Sequence, residues 1–238
     1  RLLSSAASDV YKRQGLNAAF VNVGYEKDAF LHYHDLGPKV KTLMKFTKLV
    51  SEGKITNYSL EKLNFEKEID KHGKIDDVLS PNNTILTQII KEPISTKGPR
   101  ISSELSFAGR FLVLIPFSNR ISVSQKIKSK KERDRLKKLI EEFRPKGFGV
   151  IIRTVAQGKK IAELEKDLQS MYNQWLTLCS KINGAKPPSR ILSELNRSSS
   201  ILRDLFDDQF KGVYCNDKNL CYELKDLSLI HISEPTRR

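Results

Sequence analysis

The chain has 238 residues, 39% of them hydrophobic and 8% aromatic, enough apolar material for one large domain or two small ones and too much for a disordered chain. Lys and Arg outnumber Asp and Glu by 42 to 28, a formal charge of +14, and so basic a surface calls for a polyanion, nucleic acid being the commonest. No apolar run reaches the ~18 residues of a membrane helix, and Cys179, Cys215 and Cys221, none in a CxxC pair, argue against a disulfide framework or zinc site and read as reduced thiols of a cytoplasmic protein.

Both ends read as foreign tails. The chain opens RLLSSAASDVYKRQ (1–14) and closes LSLIHISEPTRR (227–238), strings that resemble translated sequencing-adaptor tails. The opening string also lacks the apolar stretch of about 7–15 residues that a signal peptide carries. The two ends hold +2 and +1, leaving +11 on residues 15–226, and both are set aside from the fold.

Residues 15–31 predict two short strands. Ala19, Val21 and Val23 alternate with Phe20 and Asn22, Gly24-Tyr25-Glu26-Lys27 turns, and 28–31 returns as the partner. Residues 38–74 are lysine-rich and carry helical pieces around Val40, Leu43, Met44, Leu60 and Leu63; they read as a helical insertion, mostly solvated. Strands are expected over 84–90, 101–107, 110–115 and 121–127. A helix follows over 130–143, with Leu136, Leu139, Ile140 and Phe143 on one stripe and Pro145 and Gly147 ending it.

GVIIRT (149–154) is a buried strand ending on polar residues. A long amphipathic helix over 159–182 bears Ile161, Leu164, Leu168, Met171, Tyr172, Trp175, Leu178 and Ile182. Pro187-Pro188 marks a boundary. Beyond it a helix after Ser198-Ser199-Ser200 and strands over 212–216 and 220–224 are expected. The predicted class is α+β: a small β-barrel-like piece, an α/β piece and the start of a third unit.

Three constellations could carry chemistry. Phe20 and Phe30, with Tyr25 and Lys27 on the same hairpin, could stack single-stranded bases, or could be core. Residues 120–138 hold nine Lys/Arg (Arg120, Lys126, Lys128, Lys130, Lys131, Arg133, Arg135, Lys137, Lys138) against Glu132 and Asp134, a local +7 that suits a phosphate track or a solvated helix face. Arg153-Thr154 at a strand end, with Gly158-Lys159-Lys160 before a helix, offers a guanidinium fork and a hydroxyl to a phosphate; a structural arginine is the alternative. Asp207-Asp208 are adjacent acids that point to different faces and make a poor metal pair.

Taken together, the motifs resemble one family. AAFVNVGYEKDAFL looks like the AAFVDYGxxxxGFL hairpin of the RNA-binding OB domain of the ribonuclease E/G family. SSELSFAGRFLVLIPFSNRISVSQKI is similar to its TxxISLAGxYLVLxPxxxxxGISRxI, and GVIIRTVAQGKKIAELEKDLQSMYNQW to its GxIxRTAxxGxxxxxLxxDLxxLxxxW. Order and spacing agree across 15–224 apart from the insertion. Ala29 replaces the glycine before Phe30, Gly98-Pro99 replaces a more regular loop, and Arg120 or a neighbour stands for the glycine of GISR.

The resemblance implies a partial OB-type barrel with a helical insertion (15–104, insertion 38–74), an α/β 5′-sensor domain (105–184) and the start of a ribonuclease-H-like unit (185–226). It also implies a chain that begins after the first OB strand, leaving a barrel edge unpaired. Arg153, Thr154 and the backbone of Val113 would grip a 5′ monophosphate; Phe20, Phe30 and Lys97 would contact RNA on the OB surface, with Lys126 and Lys128 on the basic segment. Gly109 would serve the close turn feeding the sensor strand. Magnesium and zinc are expected of a nuclease domain and linker that match nothing in this chain, so the full-length protein would be a homo-oligomeric endoribonuclease and this portion inactive alone. A non-catalytic OB-fold RNA-binding or ribosome-associated protein is the alternative, and a basic interaction protein without nucleic acid a third reading.

Overall fold

The computed structural model describes residues 2–6, 11–13, 16–81 and 83–193. Its first half runs β1 (Leu2–Ala6), β2 (Tyr11–Arg13), β3 (Ala18–Val21), β4 (Ala29–His32), α1 (Val40–Ser51), β5 (Ile85–Lys91) and β6 (Arg100–Ser102). The second runs β7 (Phe107–Ala108), β8 (Leu112–Pro116), β9 (Ile121–Val123), α2 (Lys130–Phe143), β10 (Phe148–Ile152), α3 (Ile161–Ile182) and β11 (Ser189–Ser193). This is the mixed α+β class that the pattern predicts. Among the described residues no helix is long and apolar enough to cross a membrane.

Period-two alternation builds the first sheet. Ala19, Val21, Ala29 and Leu31 are buried, while Phe20 and Phe30, opposite one another in register, stay half-buried on the other face. Seven strands pair in the order β11-β1-β5-β6-β4-β3-β2, with β4 and β6 parallel and the other pairs antiparallel. The second sheet, β7-β8-β10-β9, is antiparallel except where β9 lies parallel to β10.

Several expectations change here. Residues 2–6 and 11–13, set aside above, are strands: β1 lies between β5 and β11, and β2 covers β3. The open edge expected next to the first hairpin is therefore paired. Strands pair through backbone N–H and C=O groups, so a segment with little apolar patterning can still fill an edge. Ser189–Ser193, expected to open a third unit, joins the seven-stranded sheet through β1. The single strand expected over 101–107 is split in two. Ser103 N donates to Asp35 O at 2.9 Å, and the Gln88 side chain binds both Ser106 N (2.9 Å) and Ser106 O (3.1 Å), so the chain leaves one sheet and enters the other. The helix and strands expected beyond residue 193, with Asp207, Asp208, Cys215 and Cys221, lie outside the described residues.

The insertion over 38–74 is less solvated than its lysines suggest. Its α1 is amphipathic: Val40, Leu43, Phe46 and Val50 are buried while Lys41, Lys45 and Lys48 face outward. Phe46 stacks on Trp175 at 5.2 Å, and the Trp175 indole N–H donates to Tyr58 O at 3.0 Å. Leu60 is buried in the same cluster as Phe107, Leu112, Phe148 and Trp175. Asn17 clamps the far end, donating to Gly73 O at 3.0 Å and accepting from Ile75 N at 2.8 Å. Lysine content masked this burial because the apolar residues occupy only one stripe.

Candidate nucleic-acid interface

Arg153 leaves β10 at its C-terminal end and starts the short turn Thr154–Ala156. Its N–H donates to Phe111 O at 2.8 Å, and its Nη1 reaches Gly109 O (2.9 Å) and Arg110 O (3.2 Å). The side chain is thus lashed to the turn that feeds β8. That turn is itself fixed from α3: the buried Asp167 carboxylate accepts from Arg110 N (2.8 Å), Phe111 N and Leu112 N (both 2.9 Å). Three backbone donors on one carboxylate form a closed, charge-assisted arrangement.

Thr154 Oγ1 lies 3.0 Å from Ser124 Oγ, whose backbone N–H continues the β9–β10 pairing to Ile152 O at 2.9 Å. Arg133 from α2 braces this point by donating to Ser124 O at 3.0 Å. Val113 stands opposite Ile151 in the β8–β10 register, two residues before Arg153, and is half-buried. The fold therefore brings Val113, Arg153 and Thr154 to one sheet.

The following loop is held by a carboxylate. Glu132 accepts from Gly158 N at 2.9 Å and makes a two-point pair with Arg135 (2.8 and 2.7 Å), which also donates to Lys159 O at 3.2 Å. The Arg135 guanidinium first, then the Gly158 N–H, hold the Glu132 carboxyl at about 2, below its ordinary 4.5. Gly158 has φ +74°, so the loop uses a conformation that favours glycine. Lys159 and Arg110 both lie over the Phe111 ring, at 5.4 and 5.2 Å. Lys126 and Lys128 are exposed in the turn between β9 and α2, one on each side of the buried Ile127. Their neighbour Ser124 touches Thr154, so the basic segment borders the same site.

Phe20 and Phe30 meet edge to face at 5.7 Å on the outer side of the first sheet. Lys97 is exposed on the loop before β6, where it exchanges backbone bonds with Ile94 (3.0 and 3.3 Å), and Pro99 O accepts from Phe30 N at 2.8 Å. Lys97 therefore sits near the end of the phenylalanine pair and not beside Arg153. Two groups of expected residues emerge, one on each sheet.

Asp167 escaped the sequence reading, yet a signal was present: it interrupts the apolar stripe of α3, between Leu164, Leu168 and Met171. Ser124 gave no such sign, whereas Glu132 and Arg135, expected as members of the basic segment, turn out to pair with each other and to hold the Gly158 loop. Among the described residues no three His, Cys, Asp or Glu side chains gather where a metal ion could be held. Burial pushes the Cys179 thiol up, as expected of a packing residue.

Exposed lysines beside the second sheet and a half-buried phenylalanine pair on the first are features shared by proteins that bind single-stranded nucleic acid. Residues 106–236 match the Ribonuclease E/G family, and the chain belongs to that family. It is 29% identical over 225 residues to ribonuclease G of Escherichia coli, covering 94% of this chain and 42% of the relative. It is 30% identical over 215 residues to ribonuclease G of Haemophilus influenzae, covering 90% and 40%. With ribonuclease E of a Nostoc species it shares 30% identity over 193 residues, covering 81% and 24%. The chain thus spans less than half the length of each of these relatives.

Proposed function

We propose that this chain is the RNA-binding and 5′-monophosphate-sensing portion of a single-strand-specific endoribonuclease of RNA processing and decay. Membership of the ribonuclease E/G family supports RNA as the substrate and nuclease as the class of the whole protein. The observation that carries the sensing role is Arg153, lashed to Gly109 and Arg110 by its Nη1 beside the Thr154 hydroxyl. A guanidinium fixed in plane and a hydroxyl one residue on suit a terminal phosphate dianion.

The strand order supports the OB reading of the first sheet. From β3 the order runs β3-β4-β6-β5-β1, with its parallel contact between β4 and β6, while β2 returns to β3. If β1 and β2 are two parts of one bent first strand, these pairings close a five-stranded barrel of the OB kind. The Phe20–Phe30 pair then lies on the face that such barrels use for single strands. Magnesium chemistry and a zinc link belong, in this proposal, to parts of the whole protein other than the described residues, as do its oligomeric assembly and its catalytic power.

The test is a fluorescence-anisotropy titration of the chain with one short RNA carrying a 5′ monophosphate or a 5′ hydroxyl, at fixed salt. The monophosphate RNA binds more tightly, and Arg153→Ala removes that preference while most of the salt-dependent affinity remains. Equal binding by the folded protein would leave a generic RNA-binding module and end the sensing proposal.

A further inference from the structure

The outward face of α1 forms one wall of a groove that no expected RNA contact uses. Lys41, Met44, Lys45 and Lys48 follow one another at helical spacing along that face, while Leu43, Phe46 and Val50 on the other side are buried. The facing wall comes from separate pieces of chain: Leu86 on β5, Ile182 at the end of α3, then Ala185 and Ile191 on β11 and the loop before it. Between the walls lies a cavity of about 750 Å³, half open to solvent and lined by no aromatic ring among the described residues. Val40 roots α1 in one hydrophobic core and Phe46 in the other, so this wall stands ready before any partner arrives.

The lip of the groove is basic. Among the described residues Glu66 is the one acid in the lining, and it is already joined to Lys45 at 2.5 Å, with its backbone N–H donating to Thr42 Oγ1 at 2.9 Å. Lys41 and Lys48 are exposed and form no ion pair among the described residues. Glu52, which feels Lys48, is joined to Lys54 at 2.6 Å. The two open cations stand two turns apart, about 10 Å along the helix.

An aliphatic floor with cations at one-turn intervals along its lip complements a helix that carries acids beside an apolar stripe. The floor gives a nucleic-acid base no ring to stack on, whereas Met44 offers a leucine a soft, adaptable contact. A second copy of this chain, at +14, is repelled by the same lysines. We infer that the α1 groove docks an acidic amphipathic helix of a partner protein. Its apolar stripe lies over Met44, Leu86 and Ile191, and its carboxylates meet Lys41 and Lys48.

The full chain is titrated with a fluorescein-labelled synthetic helix of about 14 residues, with leucines at i, i+3, i+4 and i+7 and glutamates flanking them. A scrambled peptide of the same composition is the comparison. The ordered peptide binds at least about tenfold more tightly than the scrambled one, because only it presents an apolar face. Lys41→Gln with Lys48→Gln weakens the ordered peptide about fivefold. Ala185→Glu sets a carboxylate on the opposite lip and weakens it by a similar factor, while the affinity of either variant for 5′-hydroxyl RNA stays within about twofold of wild type. Equal binding of the two peptides would overturn the proposal and leave a charged surface only. Wild-type peptide binding by either variant would overturn it as well, since both walls must take part. A loss of RNA affinity as large as the loss of peptide affinity would also overturn it, giving the lysines to RNA.

Discussion

Gly109 and Asp167 are packed so closely that a Cβ on residue 109 would lie 2.5 Å from a carboxylate oxygen of Asp167. Backbone and carboxylate occupy the space a side chain would need, and the same carboxylate gathers the next three N–H groups. The glycine is therefore fixed by proximity; φ at residue 109 is not in the left-handed range. The Arg153 guanidinium binds the carbonyls of this same turn, so the turn is the seat on which the proposed phosphate pocket rests.

Asp167→Asn is expected to disturb that seat. It keeps the shape but loses the charge and turns one acceptor into a donor facing N–H groups. A cost of about 3 kcal/mol in urea unfolding is expected, from losing hydrogen bonds to a buried charge. The preference for 5′-monophosphate RNA should fall with it. Gly109→Ala should do likewise, and a variant with undiminished preference would detach the turn from sensing.

Trp175 offers a test of how the 38–74 segment is held. The ring is fully buried, stacks on Phe46 and meets Phe107, Phe117 and Phe148 edge to face. Trp175→Phe leaves Tyr58 O without its donor and should cost roughly 1–3 kcal/mol. Trp175→Ala should cost about 3–5 kcal/mol. Hydrogen exchange should report the loss first at α1.

Glu132 predicts an acid-sensitive loop. Its folded carboxyl sits at about 2, against an ordinary 4.5. A lowered folded value means that the stabilisation is complete above the ordinary value and is lost as pH falls from there towards the folded one. Glu132→Gln should therefore be less stable than the wild type near neutrality, and the gap should close as pH drops through this window. Thermal melts of the pair across that range check it; a gap independent of pH would exclude the carboxylate as its source.

Lys126 and Lys128 are exposed and border the Ser124–Thr154 contact. If each meets one phosphate, Lys126→Ala with Lys128→Ala should lower the slope of log affinity against log salt by about 1.4, since single strands give about 0.7 per contact. An unchanged slope would return these lysines to the solvent.

The helices and the first hairpin were legible because their patterns are local. Lys130–Phe143 is found with the predicted ends, Ser129 accepting from Glu132 N as its cap. Ala19, Val21 and Val23 are buried as their alternation requires. What was not legible depends on partners remote in sequence. Nothing near Phe46 announces Trp175, and nothing in LLSSA announces the strands on either side of it. Residues Arg153, Thr154 and Val113 could be picked out by likeness to a family, whereas the carbonyls and carboxylate that orient them came only with the fold.

Helix α1 gives Val40 to the core under the first sheet, and Leu43, Phe46 and Val50 to the core under the second. One stiff rod is thus rooted in both. If the Phe20–Phe30 face and the Arg153 turn both meet RNA, as proposed, α1 sets the distance between them. An RNA long enough to reach both would then gain from the two contacts together, by effective concentration, and a shorter one would reach only one of them. The length at which affinity steps up would measure that distance in nucleotides.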